Sequence, residues 1–231
     1  MYSQTKIAIP VLEKNKEKAI EVANDCIDKG ADMIELRIDG LENPESKIVK
    51  EIIDEVNFPI IATNRIKSEG GYFKGSEEER IKILLDCAHK IDYVDIELQS
   101  SDKYIEELKN TGVKTIISYH DFEKTPELDE IFYIVKKEKE LGDIAKVAFM
   151  PNDLDDTIKI LAILSHCKNT IAISMGELGS YTRIMASKFN SPITFAAGRD
   201  PTAPGQIDIE TMKSLFNIDL DIWGIIWLKI R

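Results

Sequence analysis

Cysteine is scarce: Cys26, Cys87 and Cys167 lie far apart in 231 residues and form no C-x-x-C pair. That excludes a disulfide framework and a zinc ribbon. All three sit in apolar, helix-like stretches and are expected as buried free thiols. Positive charge is also short. Against 41 Asp and Glu stand 30 Lys and Arg, a formal net charge of −11. So acidic a chain is a poor partner for nucleic acid or an anionic membrane, although a small basic pocket remains possible. The sequence lacks the run of about 18 apolar residues that a membrane-spanning helix needs. Met1–Pro10 lacks an apolar stretch behind positive charge, which argues against a signal peptide and makes the cytosol the expected location. No Gly/Ser-rich linker or composition break divides the chain, and no G-x-G-x-x-G turn follows its first strand candidate. His and Cys do not cluster, so no metal is expected.

What is present is a regular alternation. Short apolar, β-branched runs fall at Lys6–Val11, Met33–Arg37, Pro59–Asn64, Tyr93–Glu97, Lys114–Tyr119, Ile144–Phe149, Thr170–Ser174 and Pro192–Ala197. Their centres recur every 22–34 residues, the length of one strand-helix unit. Between them lie helix patterns at Glu13–Lys29, Glu77–Lys90, Pro126–Leu141, Asn152–Cys167, Gly179–Phe189 and Ile209–Phe216. Ser76 with Glu79 reads as a capping box, and Asp208 as the cap of the last helix. Eight such units predict an α/β fold: one closed (β/α)8 TIM barrel, a single domain over 1–231. A doubly wound open sheet is the alternative. The very apolar end, residues 219–231, is expected to pack on the barrel or on a subunit interface.

In a barrel, residues two apart on a strand share a face, and sites form at the strands' C-terminal ends. Glu35 and Arg37 share such a face, as do Asp95 and Glu97. Strand 3 runs into Arg65, with Glu69 following in the loop. Strand 5 ends in His120, and Lys146 interrupts the apolar strand 6. Buried charges cost several kcal/mol each unless paired, so this convergence is hard to explain as core packing. Lys146 is the most informative residue. Desolvation beside other cations favours the neutral amine, the form that attacks a carbonyl. His120 is suited to moving protons near it. His89 and His166 are expected at the surface. The glycine-rich loop before Arg183 suits an anion, and Thr202 to Gln206 offers a hydroxyl and an amide on a long loop.

Seven motifs occur in order: Glu35-Leu36-Arg37-Ile38-Asp39, Arg65 through Gly71, Asp95-Ile96-Glu97, Ser118-Tyr119-His120-Asp121-Phe122, Lys146, Ser174-Met175-Gly176 through Arg183, and Ala203-Pro204-Gly205-Gln206. On them the chain resembles the type I 3-dehydroquinate dehydratases. The resemblance runs from the first strand to Gln206. It implies dehydration of 3-dehydroquinate to 3-dehydroshikimate through a lysine Schiff base, with no cofactor. Lys146 matches the imine-forming lysine, His120 the proton-transfer histidine, and Glu69 its associated carboxylate. Arg183 matches the arginine for the substrate carboxylate. Glu35, Arg37, Arg65, Thr202 and Gln206 match substrate-binding positions, Thr202 standing where serine is frequent. The resemblance also implies a homodimer. A short N-terminal region and the apolar end depart from the family pattern. Competing readings are a class I aldolase on the same fold, a metabolite-binding protein without turnover, and a metal-dependent barrel hydrolase.

Overall fold

The computed structural model describes residues 5–217, and the expectation for 219–231 lies outside them. Eight parallel strands form one sheet in the order β7-β6-β5-β4-β3-β2-β1-β8. The strands are β1 (Lys6–Val11), β2 (Met33–Arg37), β3 (Ile60–Thr63), β4 (Tyr93–Glu97), β5 (Lys114–Asp121), β6 (Ile144–Phe149), β7 (Thr170–Ser174) and β8 (Ile193–Phe195). The helices between them are α1 (Lys16–Asp28), α2 (Ser46–Val56), α3 (Glu77–Cys87), α4 (Asp102–Asn110), α5 (Leu128–Leu141) and α6 (Leu154–His166). After β7 come α7 (Gly176–Gly179) and α8 (Tyr181–Met185), and after β8 comes α9 (Ile209–Asn217).

The result is a nearly closed barrel. The sequence predicts full closure, but among the described residues no ladder joins β7 to β8. β8 is three residues long and pairs only with β1, Lys6 through Ala8 opposite Ile193 through Phe195. Side chains bridge the seam instead: Ser191 Oγ donates to the Thr170 carbonyl at 2.9 Å, and Thr194 Oγ1 to the Arg183 carbonyl at 2.9 Å. The helix expected over Gly179–Phe189 is also replaced, by α7 and α8 with turns after them. Gly179 packs so closely on Ser174 that a side chain there would collide with it, and this contact fixes the bend. Of the thiols, Cys26 and Cys87 are buried as expected, whereas Cys167 is only half-buried.

Local chemistry sets the helix starts. Asn15 caps α1 through Lys18 N, Asp153 caps α6 through Asp156 N, and Ser76 with Glu79 forms the capping box of α3. At the opposite pole, Asp32, Asp92 and Asp143 precede even-numbered strands. Each accepts from the first backbone N–H groups of the neighbouring odd-numbered strand, at 2.8–2.9 Å. These carboxylates satisfy strand-end donors that the ladder leaves free.

The strands divide the apolar material in two. Outward residues pack under the helices, for example Ile9, Leu36, Val94 and Ile117 against Val22, Ile52, Leu84 and Ile105. Inward residues fill the lower barrel with Met33, Ile61, Ile116, Ile144 and Ile171. One step further along β2 to β6 the inward face turns polar: Glu35, Thr63, Asp95, Ser118 and Lys146 are all buried. The apolar layer is thus a dry floor, and the polar layer above it faces the C-terminal mouth.

Candidate active site

Above the floor lies a cavity of about 270 Å³. Nine residues singled out in the sequence line it: Glu35, Arg37, Arg65, Glu69, His120, Lys146, Arg183, Thr202 and Gln206. They come from six different strands or following loops, so only barrel closure brings them together.

Lys146 enters from β6, level with Ser118 of β5. Its Nζ lies 2.7 Å from Asp95 Oδ2, 3.6 Å from Glu35 Oε1 and 4.2 Å from the centre of the Phe195 ring. The sequence suggests a cation-rich surrounding for this amine. The structure corrects that, because two carboxylates and an aromatic face are its immediate neighbours. The cations stand one step away, each with partners of its own. Arg65 Nη2 donates to Asp95 Oδ1 at 2.8 Å, and Arg65 Nη1 to Glu97 Oε1 at 2.8 Å and Ser118 Oγ at 2.7 Å. Arg80 of α3 approaches Glu97 from behind, Nη1 to Oε2 at 2.7 Å, and binds Glu77. Arg37 forms a bidentate pair with Asp39, at 2.9 and 2.8 Å.

Burial acts to raise the Asp95 carboxyl, but Arg65 and Lys146 outweigh it and hold the group far below the usual carboxylate range. Signs alternate from Lys146 through Asp95, Arg65, Glu97 and Arg80 to Glu77 at the surface, so a fully buried layer stays electrically compensated.

His120 sits at the end of β5, one inward step above Ser118. Its Nδ1 is 2.8 Å from Glu69 Oε2, and its backbone N–H donates to the same oxygen at 3.1 Å. Burial, with Arg65 and Lys146 beside it, holds the imidazole well below its usual range. Burial also pushes the Glu69 carboxyl up to about 7, against the pull of Arg65. Phe122 stacks on His120 with ring centres 6.4 Å apart.

Arg183 differs from every other cation in the cavity. Its side chain is buried and bonded only to carbonyls, Nε to Gly205 at 3.1 Å and Nη2 to Pro204 at 3.2 Å. Burial brings its guanidinium down to about 10. Among the described residues no carboxylate pairs with it. A buried, uncompensated arginine is built to receive an anion. The loop carrying those carbonyls closes on itself: Gln206 Oε1 accepts from Thr202 N at 2.7 Å and Ala203 N at 3.3 Å. It also rests on α7, where Gly176 N donates to Pro204 O at 3.2 Å. His89 and His166 lie at the surface as expected.

Several contributors escaped the sequence reading. Thr63 donates to Glu35 Oε1 at 2.9 Å, Ser118 to Asp95 Oδ1 at 2.7 Å, and Gln99 to Glu69 Oε1 at 2.8 Å. Period-two spacing places Thr63 and Ser118 on the inward register, whereas Gln99 lies on the loop after β4, and nothing local distinguishes any of them from ordinary polar residues.

A lysine amine, a histidine–glutamate pair and an anion-ready arginine at a barrel mouth define a (β/α)8 enzyme with lysine chemistry at its centre. The chain belongs to the type I 3-dehydroquinases: the family model of that description matches residues 7–221. A 3-dehydroquinate dehydratase of Methanobrevibacter smithii is 75% identical over 96% of this chain and 99% of its own. One from Methanothermobacter thermautotrophicus is 50% identical over 91% of this chain and 96% of its own. The crystal structure of type I 3-dehydroquinate dehydratase from Clostridium difficile superposes with a TM-score of 0.87 at 32% identity, covering 94% of this chain and 92% of that one.

Proposed function

We propose that this chain is a 3-dehydroquinate dehydratase, a hydro-lyase that turns 3-dehydroquinate into 3-dehydroshikimate and water in aromatic amino acid (chorismate) biosynthesis. The observation that carries the reading is the buried Lys146 amine in reach of one cavity with His120–Glu69 and Arg183, in a chain of this family.

Arg183 takes the substrate carboxylate and so fixes which ring carbon faces Lys146. The attacking form is the neutral amine. Lys146 Nζ lies against Asp95 and Glu35, and neutral His120 lines the same cavity as a proton acceptor. Lys146 Nζ adds to the C3 ketone, and loss of water gives an iminium. Its positive nitrogen draws electrons from the adjacent carbon, and His120 removes the C2 proton. The electron pair returns toward C1 as the C1 hydroxyl leaves with a proton from the same imidazole. Hydrolysis then frees the enone and restores the amine. Glu35, Arg37, Arg65, Thr202 and Gln206 bind the substrate hydroxyls and close the polar ring around them. A polyhydroxylated anion with an apolar ring face matches a cavity whose walls combine hydrogen-bonding groups with Phe122, Ile173, Met175 and Phe195.

The enzyme works without a metal or organic cofactor, as a homodimer in the cytoplasm; neither nucleic acid nor membrane is a partner. Family membership supports the dimer, which sedimentation at micromolar concentration checks. Among the described residues no helix is long and apolar enough to cross a membrane.

Borohydride added with 3-dehydroquinate tests the chemistry. Substrate-derived mass fixed on Lys146 is the expected result. An active preparation that forms no adduct overturns the imine route, and sugar phosphates serve as the control for an aldolase.

A further inference from the structure

Gln99 lies on the loop after β4, outside the residues given roles above. From outside the cavity its side chain reaches Glu69: Nε2 donates to Glu69 Oε1 at 2.8 Å and to Ser68 Oγ at 3.2 Å. The amide orientation follows from its partner, since a carboxylate oxygen accepts and the amide NH₂ is the donor. The other oxygen, Oε2, belongs to His120, through its backbone N–H at 3.1 Å and Nδ1 at 2.8 Å. Three donors thus converge on one buried carboxyl, which also faces Arg65 Nη1 at 4.0 Å and feels the like charges of Glu97 and Asp95.

We propose that Gln99 is a positioning residue: it holds Glu69 as a carboxylate and thereby fixes His120 in the tautomer that leaves Nε2 free to accept a proton. The reasoning is geometric. A proton on Glu69 Oε1 would point at the Gln99 NH₂ group. A proton on Oε2 would compete with the His120 backbone N–H and turn Nδ1 into an acceptor. The ring proton then moves to Nε2, and the imidazole is no longer a base toward the cavity. Each donor on Glu69 therefore weighs against the unproductive tautomer. Gln99 is the one of the three that does not come from His120 itself. It also ties the loop bearing Ser68 and Glu69 to the loop after β4, fixing the carboxyl in place. Burial pushes Glu69 the other way, up to about 7, so the balance sits where a single hydrogen bond shows.

This inference deepens the dehydratase reading and rests on it only for its consequence in turnover. Gln99 is exposed, so substitution there leaves the core intact. Nitrogen-15 NMR of the imidazoles, read against pH in the full chain, reports the His120 tautomer without any substrate; H120A assigns the signal. Gln99→Leu removes the donor, and Gln99→Glu adds a repelling carboxylate. The Nδ1–H to Nε2–H changeover should move up by roughly half a pH unit in Q99L and further in Q99E. The rising limb of kcat on 3-dehydroquinate should move with it, at unchanged KM. A changeover and a limb that stay at wild-type positions in both variants overturn the proposal. Wild-type protein that shows the tautomer change but never converts dehydroquinate overturns the functional reading and leaves the positioning role standing.

Discussion

Lys146 Nζ and Asp95 Oδ2 lie 2.7 Å apart, both buried, reaching across the barrel from strands that are not neighbours. Asp95 also bonds Arg65 through its other oxygen at 2.8 Å. One carboxylate therefore compensates two buried cations. Asp95→Asn should destabilise the fold by about 3–5 kcal/mol, the usual cost of stranding a buried charge. Urea unfolding at neutral pH measures this; a loss below about 1 kcal/mol would show that Glu35 and Glu97 suffice as counter-ions.

The pH dependence of turnover should follow Glu69. Its carboxyl is pushed up to about 7, so below that pH it is protonated and the productive His120 tautomer is lost. Activity should climb through about pH 7. Glu69→Gln should remove that limb and slow turnover by about 10²–10⁴-fold, while borohydride trapping on Lys146 survives. A wild-type profile already flat from pH 6 to pH 8 would contradict the assignment.

Gly205 determines where Arg183 finds its carbonyls. It adopts φ +73°, and a Cβ there would run into the backbone of Gly176. Gly205→Ala should therefore displace the Pro204–Gly205 carbonyls that Arg183 holds, at a local cost of about 1–3 kcal/mol. The expected signature is a raised KM with imine trapping retained at saturating substrate. Unchanged KM would mean that the loop absorbs the methyl group without moving Arg183.

Glu138, which does not line the cavity, offers a prediction about stability. It lies on the buried face of α5 with Ile131 and Val135, and neither carboxyl oxygen has a hydrogen-bond partner. Burial first, then Asp95 and Glu69, raises it well above the usual carboxylate range. The folded protein thus keeps a proton that the unfolded chain releases above about pH 4.3. Glu138 accordingly favours folding at acid pH and loses that contribution as pH rises, by at most about 1.4 kcal/mol per unit. Glu138→Gln should match wild type near pH 4 and exceed it in stability at pH 8. Parallel urea curves at both pH values decide it, and an equal difference at the two would refute it.

Much of the molecule was legible because period and punctuation are local. Strands β1, β2, β4, β6 and β7 have the bounds that their apolar runs predict, β3 and β8 fall inside theirs, and the Ser76–Glu79 box opens α3 as its spacing requires. The end of β5 was less legible: the apolar run stops at Tyr119, whereas the strand continues through His120 to Asp121. The α7–α8 break and the short β8 depend on contacts between Gly179 and Ser174 and across the barrel seam, which no window of sequence contains.

The sequence by itself determined eight strand-helix units, the polar residues at the strands' C-terminal ends, and the motif order that resembles one family. Those follow from side-chain periodicity and from the rarity of lysine, arginine and glutamate inside apolar runs. Only the tertiary structure decided how the charges pair. Lys146 sits on Asp95 and Glu35, Arg65 divides its hydrogen bonds between Asp95 and Glu97, and Arg183 is left facing the cavity with no carboxylate among the described residues. Partner choice depends on barrel register and on the few ångströms that separate one inward layer from the next. The charged pairs join residues 30 to 111 positions apart in the chain, and the sequence alone does not contain those distances.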